Sequence, residues 1–199
     1  MNAIGFYRTA RWLYLHKVPV LPGLIKGITF VLFNTVVPYT AEIGAGTKFA
    51  YGGMGCVVHK NTKIGERVII GQNTTIGRSL DPADYPTIGS DVYISAGARI
   101  IGNIHVGNNV IIGANAVVNK NVEDNCIVAG VPAKMIRKVD CSIWDLLKNM
   151  TFPNMPGGGV QLLTNIAFVN AYLLRDGHIG KVIAQKQKTF RNGGLSYAA

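Results

Sequence analysis

The chain has 199 residues, 48% of them hydrophobic and only 15% charged, which suits one folded domain with appendages and excludes two large domains or a disordered chain. Its formal net charge is +10 and its pI is near 9.7, yet no segment interleaves clustered Lys and Arg with aromatic residues, so no nucleic-acid partner is expected. The 24 glycines, about 12% against a usual ~7%, follow no Gly-X-Y period and imply a fold of many tight turns.

The first forty residues hold Arg8, Arg11, Lys17 and Lys26 and no acid. Residues 3–17 read as a helix ending near Pro19, and 23–37 as a second, strongly apolar one. Residues 18–37 are apolar apart from Lys26, but Pro19 and Pro22 interrupt them and leave about 14 residues clear of proline from Ile25 onward, short of the ~20 that cross a bilayer. The start, Met1-Asn2-Ala3, does not read as a signal peptide. With Tyr7, Trp12 and Tyr14 beside the basic groups, residues 1–37 are expected to touch a membrane surface from the cytoplasmic side. Cys56, Cys126 and Cys141 are odd in number and lack zinc spacing, which fits a reduced cytosolic setting without a metal.

From residue 43 a period of six takes over. Aliphatic residues recur at Val58, Ile64, Ile70 and Ile76, then at Ile88, Ile94, Ile100, Val106, Ile112 and Val118. The next residue is mostly Gly or Ser, and the fifth is small or β-branched. Six matches neither the 3.6 of a helix nor the 2 of a simple strand; it suits a flat strand and a corner, with Gly expected to supply the turn conformation. Three such faces close a triangular coil of about 18 residues, and each coil buries its apolar edge by stacking on the next. The fold expected is therefore mainly β, a parallel β-helix spanning 40–138, led by helices in 1–39 and followed by an extension, 139–199, without repeats. The period breaks between Phe49 and Val58, where Gly53-Met54-Gly55 implies a bulge. It breaks again over 78–87, where two Pro and two Asp imply a loop leaving the prism. Within the extension, 160–175 reads as an apolar helix and the last fifteen residues as mobile.

The hexads, the stretch Ile94-Ser95-Ala96-Gly97-Ala98-Arg99-Ile100 and the closing Ala129-Gly130-Val131-Pro132-Ala133-Lys134 resemble the left-handed β-helix hexapeptide-repeat acyltransferases. Within them the likeness is to serine acetyltransferases and to the O-acetyltransferases of surface polysaccharide synthesis. That resemblance implies a homotrimer with acetyl-CoA as co-substrate in the groove between neighbouring prisms. Ser95, Ala96, Gly97, Gly113 and Ala114 would let the pantetheine arm approach the backbone, and Lys134, Arg137 and Lys138 would meet the CoA phosphates.

Acetyl transfer to a hydroxyl needs a base, and a histidine has the right acidity. His16 falls in the first helix, His178 in the tail and His105 at a surface position of its hexad. His59 follows the bulge, in Tyr51-Gly52-Gly53-Met54-Gly55-Cys56-Val57-Val58-His59, a stretch similar to one in polysaccharide-type members, and is the expected base. Where serine acetyltransferases carry an Asp-His pair this sequence has Tyr51 and Gly52, and where they carry Arg-His it has Asp84 and Tyr85. Free serine is then a poor acceptor by charge, whereas Tyr51, Asp81, Asp84 and Tyr85 would suit a saccharide. The expected function is acetyl-CoA-dependent O-acetylation of a surface-polysaccharide saccharide, with serine O-acetylation and an inactive trimeric scaffold as the alternatives. A γ-type carbonic anhydrase would need three converging His, and only His59 and His105 fall in the repeat.

Overall fold

The computed structural model describes residues 2–80 and 85–149. Helix α1 (Ala3–Leu15) is opened by Asn2, whose side chain accepts from the Ile4 N–H. Helix α2 (Leu21–Phe33) carries Pro22 in its first turn, where the missing N–H has no helical partner to lose. It therefore starts earlier than the expected residue 23. It also ends before 37: Asn34 turns left-handed, at φ 49°, and Val36 pairs with Val57 instead.

Beyond α2 the chain winds into a left-handed parallel β-helix. Its strands are β1 (Glu42–Ile43), β2 (Lys48–Phe49), β3 (Val57–Val58), β4 (Lys63–Ile64), β5 (Ile69–Ile70), β6 (Thr75–Gly77) and β7 (Thr87–Ile88). They continue as β8 (Val92–Ile94), β9 (Arg99–Ile101), β10 (His105–Val106), β11 (Val110–Ile112), β12 (Val117–Val118), β13 (Cys126–Ala129) and β14 (Lys134–Lys138). Strands β3, β6, β9 and β12 stack as face one, β1, β4, β7 and β10 as face two, and β2, β5, β8, β11, β13 and β14 as face three. Only β14 runs antiparallel, against β13.

All ten aliphatic residues of the period-six series point into the prism, none more than 4% exposed. The fifth positions, from Thr62 to Ala116, are buried beside them. Burying each such aliphatic side chain stabilises the fold by on the order of 2 kcal/mol. Hydrogen bonds between stacked corners give the coil lengths: Thr47 to Val68 spans 21 residues, Glu66 to Ser90 spans 24, Ser90 to Asn108 spans 18 and Asn108 to Asp124 spans 16. The first excess over 18 is the 3-10 turn Ala50–Gly53, and the second is the 78–86 segment.

The glycines that follow the inner aliphatic residues do something other than what the repeat implied. Gly65, Gly71, Gly89 and Gly113 do not adopt positive φ; the left-handed residue lies two positions further on, at Arg67, Asn73, Asp91 and Asn115. What those glycines supply is space. A Cβ on Gly65 would sit 2.6 Å from the Gly89 carbonyl, and one on Gly71 would sit 2.5 Å from the Ala96 nitrogen. Stacked coils touch there through bare backbone.

Each end of the prism is closed. At the first coil, α1 answers carbonyls that have no coil above them. Tyr7 donates to Ala41, Asn2 to Phe49, Arg8 to Gly44, and Arg11 to Tyr39 and Thr40. At the last coil, the Gly130–Ala133 turn sends β14 back along β13, as the Ala-Gly-Val-Pro-Ala-Lys stretch implied. The chain then covers the outside of face three. Val139, Ile143 and Leu147 pack on Tyr93, Ile111 and Ile127, and the last helix of the described residues, α3 (Ile143–Asn149), is pinned where Trp144 Nε1 donates to Asp91. Asp91 also accepts from Arg67 Nε and Nη2, each at 2.7 Å, and that guanidinium chiefly holds the Asp91 carboxyl below its usual pKa. The proposed helix over 160–175 and the carboxy-terminal fifteen residues lie outside the described residues.

Candidate active site

His59 begins the corner between β3 and β4, where most other corners have Gly. Its N–H donates to the Ile76 carbonyl, so the backbone is fixed by the coil below. The Asn61 N–H reaches its Nδ1 at 3.3 Å, leaving Nε2 to carry the proton of the neutral ring. Tyr85 lies nearly parallel to the ring, with centroids 6.1 Å apart at 18°. The 24-residue coil explains the pairing, since its extra segment returns Tyr85 to the corner that His59 occupies. A groove of about 470 Å³ runs beside them, lined among others by Lys26, Tyr39, Thr40, His59, Lys60 and Gly77. Partial burial pushes the His59 imidazole below its usual pKa, and the positive charges of Arg78 and Lys60 push the same way. The ring is consequently neutral near pH 7 and able to take a proton.

The small residues gather at a different corner, between faces three and one. Here Gly71, Ser95 and Gly113 stack in successive coils, and a Cβ on Gly113 would come within 2.7 Å of Ala129. Two buried oxygens at this corner, Ser95 Oγ and Gln72 Oε1, have no hydrogen-bond partner among the described residues. A buried acceptor left unpaired is costly, and a slender amide-bearing arm laid along this bare backbone would supply the donors. The site thus fits the pantetheine arm of a coenzyme A thioester. Arg99 closes the corner from face one, donating Nη1 to the Gly97 carbonyl at 3.1 Å and reaching Asn73 as well. Sequence reading passed over Arg99 and Gln72, whose only signal was their place next to the small-residue stretches.

The other expected residues divide between these corners and elsewhere. Tyr51 sits in the 3-10 turn of the small-residue corner, half exposed at φ 48°, with all of face one between it and His59. Its phenol adds to the burial that pushes the Tyr93 hydroxyl up to about 12. Tyr51 and Tyr85 therefore do not share a pocket within one chain. Asp81 and Asp84 lie outside the described residues. Lys134 pairs with Ala129 at the foot of the small-residue corner, whereas Arg137 lies across from Ile127 on the covered side of face three. Lys138, further along, pairs with Glu123 at 3.5 Å. The three cations expected at one phosphate site are thus spread along β14, and Lys134 alone stands at the groove's end. His105 projects from face two and meets Thr87 at 3.0 Å. Among the described residues no group of three or more His, Cys, Asp or Glu is placed to hold a metal ion.

Residues 85–120 match the bacterial transferase hexapeptide family, in its six-repeat form. A serine acetyltransferase of Synechococcus elongatus is 31% identical over 164 residues, 81% of this chain and 66% of that protein. One from Mycobacterium tuberculosis is 31% identical over 174 residues, 86% of this chain and 75% of that protein. Among solved structures, the Brucella abortus serine acetyltransferase in complex with coenzyme A superposes with a TM-score of 0.66 at 33% identity, over 70% of this chain and 56% of that one. The chain thus spans just under two thirds of the length of the Synechococcus relative and little more than half of the Brucella enzyme.

Proposed function

The chain belongs to the hexapeptide-repeat acyltransferases, in the family of the serine acetyltransferases, and from that premise we propose that it is an acetyl-CoA-dependent O-acetyltransferase. The observation that carries the reading is the small-residue corner, with its unpaired Ser95 and Gln72 oxygens laid along bare backbone. Acetyl-CoA would bind there, and Lys134 would meet its phosphates. Such chemistry needs a neutral base that takes the acceptor hydroxyl's proton as that oxygen attacks the thioester carbonyl, with CoA leaving as the thiolate. His59 is the candidate. The Asn61 contact at 3.3 Å is long enough to give way as the ring takes the proton on Nδ1.

Face one separates His59 from the small-residue corner of its own chain, so the proposed site joins His59 of one protomer to the corner of the next, in a homotrimer. The protein would work where acetyl-CoA is made, in the cytoplasm.

The proteins similar to this chain are serine acetyltransferases, so serine is the acceptor that the comparisons favour over the saccharide expected from the sequence. A saccharide remains the second reading on one observation: His59, which lines the groove, has the Tyr85 ring lying nearly parallel to it. Release of free CoA, measured with serine and with a panel of sugars and glycans, decides between them. Turnover with serine alone removes the saccharide, and turnover with sugars alone removes serine. If the protein neither binds CoA nor turns over any acceptor, the scaffold alternative stands and the enzyme reading falls.

A further inference from the structure

We propose that the α1–α2 hairpin docks on an anionic lipid bilayer, with α2 lying in the headgroup layer. Helix α2 buries little of itself against the protein. Pro22 and Thr29 are its buried residues, while Leu21, Leu24, Ile28, Phe30, Val31 and Leu32 are exposed, Val31 at 81%. Val20 at 83%, Leu15 at 61% and Trp12 at 57% extend that surface through the turn into α1. Scattered apolar residues on a surface are ordinary, but nine exposed on one helix hairpin, with Leu21, Leu24, Ile28, Val31 and Leu32 falling on one side of α2 by helical spacing, mark a contact. No helix among the described residues is long and apolar enough to cross a membrane. At 13 residues α2 is about 20 Å long against a hydrocarbon core of ~30 Å, so it lies in the surface instead.

Charge identifies the occupant. Arg8 and Arg11 are turned inward onto the carbonyls of the first coil, which leaves Lys17 and Lys26 as the outward cations of the hairpin. The first acid in the chain is Glu42, and Lys63 pairs with it. A second copy of this surface would set Lys17 and Lys26 against themselves with no acid to answer them. Anionic headgroups answer both, and an amphipathic aromatic such as Trp12 suits the same layer. Because Lys26 also lines the groove beside His59, docking sets that groove at the bilayer surface.

Flotation of the full-length protein with phosphatidylcholine vesicles, with and without phosphatidylglycerol, tests this. Vesicle binding is read without any acetyl transfer, so its outcome is separate from that of the proposed reaction. Binding to the anionic vesicles is expected, weakening in about 0.5 M salt and falling about fivefold for each of Lys17→Gln and Lys26→Gln. The double change Leu24→Ser and Val31→Ser should lower it more than ~10-fold with an unchanged melting temperature, since both side chains already face solvent. Failure to bind anionic vesicles overturns the proposal, as does equal binding by the wild type and the serine double variant. A lipid-free assembly that the double variant dissociates would show a second copy on this face and overturn it too.

Discussion

Replacing Gly65 and Gly77 by alanine makes one chemical change at two corners and should move stability in opposite directions. Neither glycine adopts positive φ, so alanine is conformationally acceptable at both. At Gly65 the new methyl would sit 2.6 Å from the Gly89 carbonyl carbon and oxygen, about 0.8 Å inside ordinary contact. Those atoms are backbone of the next coil, held by the Gly65 N–H to Ile88 bond at 2.8 Å, and they move only if the ladder opens. Overpacking of this kind costs ~1–3 kcal/mol, and at ~2–4 °C per kcal/mol for a chain of this size the midpoint should fall by roughly 2–12 °C. At Gly77 the nearest atom is Thr75 Cγ2 at 3.6 Å, which is normal contact. There alanine restricts the unfolded chain, is worth ~0.4–1 kcal/mol, and should raise the midpoint by about 1–4 °C. Thermal melting followed by circular dichroism reads both. A Gly65→Ala protein melting at or above the wild type, or a Gly77→Ala protein falling as far as Gly65→Ala, would refute the close-approach argument.

His59→Ala should lower kcat/KM by ~10²–10⁴-fold while CoA binding, followed by calorimetry, is unchanged; unchanged turnover would remove the base. Because folding lowers the His59 pKa, the acid limb of kcat/KM should lie below pH 6.5, and Arg78→Ala, which removes a neighbouring positive charge, should move that limb upward. Mixing inactive His59→Ala chains with inactive chains whose groove is blocked by Ala114→Trp should restore about a quarter of the sites if each joins two protomers of a ring. No recovery after mixing would place the site within one chain. The depressed Asp91 carboxyl contributes stability above its unfolded pKa of 3.8 and loses it as the pH falls further, through its folded value. In a Trp12→Phe background, Trp144 fluorescence should therefore shift to the red in that acid window, and Asp91→Asn should show the shift at neutral pH.

The inner column was fully legible in the sequence, because a period of six leaves each aliphatic residue one place to go. Both breaks of period were legible too, since Gly-Met-Gly and the Pro/Asp segment cannot continue a hexad. The turn chemistry was assigned two positions early: Gly65 and its equivalents looked like the bent residues, while Arg67, Asn73, Asp91 and Asn115 do the bending. Spacing within one coil says nothing about how near the next coil comes. The second helix was placed too late at both ends, because Pro22 fits a first turn and Val36 is claimed by a strand twenty-one residues away. Arg8 and Arg11 read as free surface charge, and only the three-dimensional closure of the first coil gives them carbonyls to hold. His59 and Tyr85 were both singled out, but their meeting depends on the length of an intervening coil. The separation of Tyr51 from His59 by a whole face follows from spacing, since His59 lies seven residues beyond Gly52, about one prism face.

A stack of coils has no inherent reason to stop, and an open last rung is a strand edge looking for a partner. Here α1 occupies the carbonyls of the first rung, and β14, bearing Lys134, Arg137 and Lys138, turns back to occupy the last. The carbonyls of the first rung and the outer edge of β13 are thereby answered within the chain, by a helix at one end and by a strand of reversed direction at the other. The proposed association of copies uses the sides of the prism instead, where the bare-backbone corner and the His59 corner lie.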